Sequence, residues 1–332
     1  MLDAPPARTL VHVRDLKMHF PVYTGILRRQ TGAIKAVDGV SFDITQGETL
    51  GLVGESGCGK STVGRALIRL YDLTAGSVVI DGEDIAALSP DALRRKRPTM
   101  QMVFQDPQAS LNPRMTLAQI ISEPLDEHTK WGTDQKMARV HELMDAVGLN
   151  RRFSNRFPHE FSGGQRQRIG IGRALAMNPK FIVCDEPIAA LDVSIQAQVV
   201  NLLADLQRDM GLAMIFIAHD LSVVKHISDR IMVMYLGRQM EAAPAKELIR
   251  QPKHPYTRAL IASVPIPDPV AEKARAHVVL EGELPSPLRP PSGCAFRTRC
   301  PMAQPDCARD VPPLLAISDT HDVACPYWQT EP

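Results

Sequence analysis

Apolar positions along the chain change period several times, and each change marks an element. Leu10–Phe20, Val40–Ile44 and Val78–Ile80 alternate or run in strand fashion between turn residues, which predicts an antiparallel layer near the N-terminus. Thr49–Val53 is a short apolar strand that runs straight into a glycine-rich stretch. Behind that stretch Val63, Ala66, Leu67 and Leu70 recur at helical spacing, so the glycines sit between a strand and a helix. Met102–Phe104 is strand-like, and from Asp106 to about Glu160 the pattern is mostly helical, punctuated by Pro107 and Pro113. Phe181–Cys184 and Ala213–Ala218 are continuous apolar runs of the kind buried on both faces. Between them lies a helix whose apolar face is Ile195, Val199, Leu202, Leu203 and Leu206, with Gly211 placed to end it. Strands alternating with helices predict an α/β fold: a mainly parallel sheet with its ligand edge at the strand carboxyl ends.

After about Pro252 the periodicity fades and prolines accumulate at 265, 267, 269, 285, 287, 290 and 291. The expected division is a domain over 1–252, with a helical part at about 106–165, and a C-terminal extension over 253–332 with little core of its own. No internal repeat or low-complexity tract is evident.

Composition narrows the function classes. Lys and Arg total 38 against 37 Asp and Glu, so no basic footprint argues for nucleic acid. A hydrophobic content of 44% with 5% aromatics is that of an ordinary globular protein. Met1–Leu10 holds two prolines and no apolar core, so no secretory signal is expected. No apolar run approaches the roughly 18 residues needed to span a bilayer, so any membrane role is expected to come through partner subunits. Of six cysteines, Cys58 lies in the glycine-rich stretch and Cys184 in a strand. Cys294, Cys300, Cys307 and Cys325 all fall near the C-terminal end. Without an export signal, metal or cluster ligation is the better reading of these four than disulfides.

The chemistry begins at Gly54-Glu55-Ser56-Gly57-Cys58-Gly59-Lys60-Ser61, followed by Thr62. Glycines let backbone N–H groups turn inward on phosphates, Lys60 reaches the β- and γ-phosphates, and the Ser61 hydroxyl is placed to hold Mg²⁺. Cys58 takes a variable position in the loop and reads as a small filler. Asp185 and Glu186 end the strand Phe181–Cys184. Two adjacent carboxylates there suit a division of labour, Asp185 reaching Mg²⁺ through water and Glu186 polarising the attacking water. Gln105 follows Met102–Phe104 and can ligate Mg²⁺ or water; His219 follows Ala213–Ala218 and can hydrogen-bond a γ-phosphate. Either alone would be unremarkable. Ser162, Gly163, Gly164 and Gln165 open a helix that continues through Arg166–Met177, a second anion-binding helix start. The phosphate loop already has its own helix, so this one suits an ATP held by another subunit.

In this order the motifs resemble those of ABC-transporter nucleotide-binding subunits. The match covers roughly 10–252: Walker A at Gly54–Ser61, Q-loop at Gln105, signature at Phe161–Gln165, Walker B at Phe181–Glu186, D-loop at Ala189–Asp192 and switch at His219. Phe20 is similar in place to the aromatic residue that stacks on adenine in that family, upstream of an extra segment, Thr24–Ala33. Phe161 and Ala189 stand where many members have Leu and Ser. The resemblance implies a RecA-like parallel core, an antiparallel β subdomain, a helical subdomain, and ATP with Mg²⁺ as ligands. It also implies catalytic roles for Glu186 and His219. The strings Gln105-Asp-Pro, Ser110-Leu-Asn-Pro-Arg114, His254-Pro-Tyr-Thr257 and Gly282-Glu-Leu-Pro-Ser-Pro287 resemble the dipeptide/oligopeptide/nickel importer subfamily. That likeness implies a motor at the cytoplasmic face of the membrane, paired with a second ATPase subunit of paralogous sequence. Two permeases, whose coupling helices dock on 106–160, and an extracytoplasmic solute-binding protein complete the assembly it implies. The cargo is expected to be dipeptides or longer peptides, with nickel and haem as other readings. Some members carry a 4Fe–4S cluster in a similar extension, which implies that group for the four tail cysteines, with zinc or unligated thiols as the other readings. A non-transport ABC ATPase is the competing class; it would carry long coiled coils or two motif sets, and this chain has a single set and no sustained heptads.

Overall fold

A computed structural model describes residues 8–25, 29–264 and 282–330. Pro265, Pro267, Pro269 and most of the Met1–Leu10 segment lie outside them. Two sheets form the frame. Strands β1 (Thr9–Thr24), β2 (Arg29–Thr45), β4 (Ala75–Ile80) and β5 (Glu83–Asp84) make a four-stranded antiparallel sheet in the order β2-β1-β4-β5. The others are β3 (Thr49–Val53), β6 (Met100–Val103), β7 (Phe181–Asp185), β8 (Ala213–Ile217), β9 (Arg230–Tyr235), β10 (Arg238–Pro244), β11 (Leu315–Ser318) and β12 (His321–Val323). They make an eight-stranded sheet in the order β11-β12-β10-β9-β3-β8-β7-β6, parallel from β9 to β6.

The two-residue period of the central strands sorts their side chains into two cores. Phe181 and Val183 of β7 and Ile215 and Ile217 of β8 face the antiparallel sheet and the helix Lys60–Leu67. Ile182, Cys184, Met214 and Phe216 face the opposite way, toward a layer that includes Ile120, Leu143, Ile169 and Val199. Between Val103 and Phe181 the stretch expected to be helical from 106 to about 160 forms helices at Pro107–Ser110, Leu117–His128 and Thr133–Ala146, and the helix expected behind Ser162 runs Gly163–Leu175. Thr116 and Gln119 close a capping box at the start of the second of these. Gly211 ends the helix Val193–Met210 with φ of 62°, the left-handed cap that glycine adopts without penalty.

The extension does not stand apart from this frame. Its hairpin β11–β12 adds two antiparallel strands to the edge of the main sheet, Val323 of β12 pairing with Glu241 of β10. Tyr256 and Phe296 are fully buried in the same core as β9. Its buried apolar side chains thus join a core that residues before position 252 also build.

Candidate ATP site

The phosphate loop is built by close backbone approach. β3 is buried along its length and delivers the chain to Gly54, whose φ is 151°; a Cβ there would lie 2.2 Å from the Met234 carbonyl oxygen. At Gly59, with φ of 103°, a Cβ would lie 2.0 Å from the Ala36 carbonyl oxygen. Only glycine fits either place. Gly59 caps the helix Lys60–Leu67 without a side-chain bond, so the first-turn N–H groups stay open to a ligand. Ser56 and Gly57 are exposed; Ser61 and Thr62 are half-buried. Lys60 is 4% exposed, and its Nζ donates to the carbonyls of Gly54 (2.8 Å) and Glu55 (3.1 Å). Cys58 is buried with Sγ 3.8 Å from Lys60 Nζ, and burial pushes its thiol pKa up, so it packs as a neutral filler.

Asp185 is fully buried at the end of β7. Its Oδ2 accepts from Arg65 Nη2 at 3.4 Å, while Oδ1 has no hydrogen-bond partner. A buried, half-satisfied carboxylate beside a phosphate loop fits a hydrated cation such as Mg²⁺. Glu186 has φ of 46°, a left-handed conformation that a non-glycine residue adopts at a cost, held by its N–H donating to the Ile217 carbonyl at 3.0 Å. Its Oε2 accepts from Gln105 Nε2 at 2.9 Å, so two of the motif residues meet directly. His219 is exposed at the end of β8 and lines, with Glu186, Ala189 and Gln196, a small cavity of about 30 Å³.

Ser162 caps the helix Gly163–Leu175. Its Oγ accepts from the Gln165 N–H (3.4 Å) and the Gln165 side chain accepts from the Ser162 N–H (3.0 Å), a reciprocal capping box. Ser162 and Gly163 are exposed; Gly164 is buried, and a Cβ on it would lie 2.4 Å from Ile195 Cγ2. Gln196 Nε2 donates to the carbonyls of Ile188 and Leu191 and so fixes the Ala189–Asp192 loop. Phe20 sits half-buried on β1, edge-on to Tyr71 with ring centroids 5.5 Å apart.

Two contacts to the loop escape the motif strings. Tyr256 Oη accepts from the Glu55 N–H at 2.9 Å, and Arg299 grips the Glu55 carboxylate with both terminal nitrogens. Tyr256 belongs to His254-Pro-Tyr-Thr257, a string that marks a subfamily without announcing a role. No local signal marks Arg299.

The four tail cysteines are free thiols, each half-buried. Burial raises the pKa of Cys294 and Cys300, and that of Cys325 is pushed up to about 11 by burial and then by the charges of Cys294, Cys300 and Cys307. Among the described residues no three His, Cys, Asp or Glu side chains are placed to hold a metal ion, so the expected metal centre does not appear as a ready-made site.

Comparison with known proteins agrees with this geometry. The ABC transporter family matches residues 37–189, and the oligopeptide/dipeptide transporter C-terminal region matches 240–307. The chain is 53% identical to the oligopeptide transport ATP-binding protein AppF of Bacillus subtilis, over 98% of this chain and 99% of that protein. It is 56% identical to OppF of Escherichia coli K12, also named an oligopeptide transport ATP-binding protein, over 96% of each. Among solved structures, the dimeric ATP-binding cassette MJ0796 bound to ADP and Pi superposes with a TM-score of 0.64 at 28% identity, covering 71% of this chain and 99% of that one. The chain therefore belongs to the ABC transporter ATP-binding proteins, in the branch that carries the oligopeptide/dipeptide transporter C-terminal region.

Proposed function

We propose that this ATPase subunit of a peptide importer works as one of a pair, each ATP being enclosed between the phosphate loop of one subunit and Ser162–Gln165 of the other. The observation that carries the proposal is the exposed, capped helix start at Ser162, a second anion site in a chain whose phosphate loop already has Lys60 and its own helix. Lys60 holds the β- and γ-phosphates, and the loop N–H groups from Ser56 to Thr62 wrap them. Glu186 orients a water in line with the γ-phosphorus; its oxygen bonds to phosphorus as the bond to the ADP oxygen breaks. Gln105 holds Glu186 in place, His219 reads the γ-phosphate, and Phe20 stacks on adenine. Mg²⁺, when bound by Ser61, Gln105 and Asp185, neutralises charge developing on the phosphates.

On this reading residues 1–252 are the motor, with a helical part at about 106–165 of which 106–160 docks the two permeases, and 253–332 is the extension. The subunit sits at the cytoplasmic face of the membrane through those permeases, its mate is a second ATPase subunit, either a paralogue or a second copy of this chain, and a solute-binding protein delivers cargo. Among the described residues no helix is long and apolar enough to cross a membrane. The cargo class is short peptides, from the names of the relatives; the motif strings resemble the second ATPase subunit of dipeptide importers as well. Peptide uptake by a strain in which this chain carries Lys60→Ala tests the assignment. Loss of uptake with the importer still assembled supports it, and undiminished uptake refutes it.

For Cys294, Cys300, Cys307 and Cys325 we propose a 4Fe–4S cluster from the likeness to importer extensions alone, since among the described residues these thiols are not placed as a ready-made metal site. The cluster would hold the tail in shape. Iron and sulfide analysis of anaerobically purified protein tests it, and zinc in place of iron would overturn it.

A further inference from the structure

Glu55 is a junction. Its carbonyl accepts from Lys60 Nζ at 3.1 Å, its N–H donates to Tyr256 Oη at 2.9 Å, and its carboxylate takes Arg299 Nη1 at 2.6 Å and Nη2 at 3.0 Å. The lysine that meets ATP and two residues from beyond position 252 thus hold one loop residue from three sides. The bridge is bidentate and sheltered: the Arg299 side chain is 7% exposed and that of Glu55 is 26% exposed. The ground beneath it is rigid. Tyr235, Tyr256 and Phe296 pack ring against ring with centroids 4.8–5.3 Å apart, and the Arg299 guanidinium lies 6.0 Å from the Tyr235 ring centre.

The electrostatics give the bridge a consequence for nucleotide. A carboxylate in the second position of a phosphate loop repels the anion the loop exists to bind. In a sheltered setting this repulsion reaches across several ångströms. Arg299 cancels that charge and fixes the residue whose carbonyl orients Lys60.

We propose that Arg299 is a positioning residue for ATP, supplied by the C-terminal extension and acting through Glu55. It stands immediately before Cys300, so the order of the cysteine loop is passed to the phosphate loop through one side chain. The inference rests on the reading of the Lys60 loop as the ATP site.

Titration of the full-length chain with Mg-ATP tests it. Arg299→Ala is expected to weaken binding about tenfold by exposing the uncompensated Glu55 charge. Arg299→Lys retains most of the affinity. Adding Glu55→Gln to Arg299→Ala is expected to recover most of the loss, an outcome that a merely structural arginine would not give. Parental affinity in Arg299→Ala, or a double variant no better than the single one, overturns the proposal. Should Arg299→Ala fail to fold, Arg299→Gln keeps the stem over Tyr235 and is read the same way. An original chain that binds no ATP, and behaves like Lys60→Ala, would instead overturn the underlying site.

Discussion

Gln105 Nε2 donates to Glu186 Oε2 at 2.9 Å, joining the entry to the helical layer with the carboxylate at the end of β7. Gln105 stands directly before Asp106, which caps the short helix Pro107–Ser110 with bonds to the N–H groups of Gln108 and Ala109. A shift of that helical layer therefore pulls on the residue assigned to the attacking water. Glu186→Gln keeps the shape and removes the acceptor charge. It is expected to bind ATP normally and to hydrolyse it about 10²–10⁴ times more slowly, the range a positioned general base contributes. Single-turnover hydrolysis measures this, and a rate near that of the unmodified chain would remove Glu186 from its role.

Gly59 offers a test of the loop's construction that is independent of catalysis. Its φ is 103° and a Cβ would stand 2.0 Å from the Ala36 carbonyl oxygen. Gly59→Ala must meet both the left-handed backbone penalty, about 1–2 kcal/mol, and a backbone clash. The expected outcome is a lower melting temperature together with weakened ATP binding. Gly57→Ala, where a Cβ meets nothing within 4 Å, bears the conformational penalty alone and is expected to be milder. Thermal melts of the two variants check the order.

Much of this site is legible from local strings because its chemistry is local. A strand, glycines, a lysine and a helix follow one another within 49–67, and the Ser162–Gln165 box spans four residues. The parts hidden from sequence are those joined across distance by ordinary residue types. Arg299 and Glu55 are 244 positions apart and neither is unusual alone. β10 reads Arg-Gln-Met-Glu-Ala-Ala-Pro, with little strand propensity, and is a strand because β9 and β12 pair with it on either side. β12 has three residues and no pattern of its own. The extension likewise reads as coreless, because Tyr256 and Phe296 are buried against residues far earlier in the chain.

Two buried histidines at the junction with the extension set opposite pH dependences. Burial would push the His321 pKa down, but its two nitrogens face Glu241 (2.8 Å) and Glu247 (2.9 Å), and the net effect is a raised value. A raised folded-state pKa contributes stability that is complete below the unfolded value of 6.5 and is lost as pH rises through the folded value. His254 is the reverse. Burial lowers it to about 4, and its Nδ1 accepts from the Tyr256 N–H at 3.0 Å, which requires the neutral ring. It therefore takes stability away as pH falls from 6.5 toward about 4. Chemical denaturation across pH 4–9 is expected to show both slopes. His321→Gln should flatten the alkaline one and His254→Asn the acidic one.

The pairing of subunits is tested most directly by the rate of ATP cleavage per chain as a function of chain concentration, with and without Ser162→Arg. Cap loss alone would cost about 1 kcal/mol of stability and little else. If one molecule's Ser162 completes the site at another's Lys60, isolated chains are slow, the rate per chain climbs as pairs form, and Ser162→Arg abolishes the climb. Full-rate cleavage by chains that remain single, unchanged by Ser162→Arg, would contradict the account.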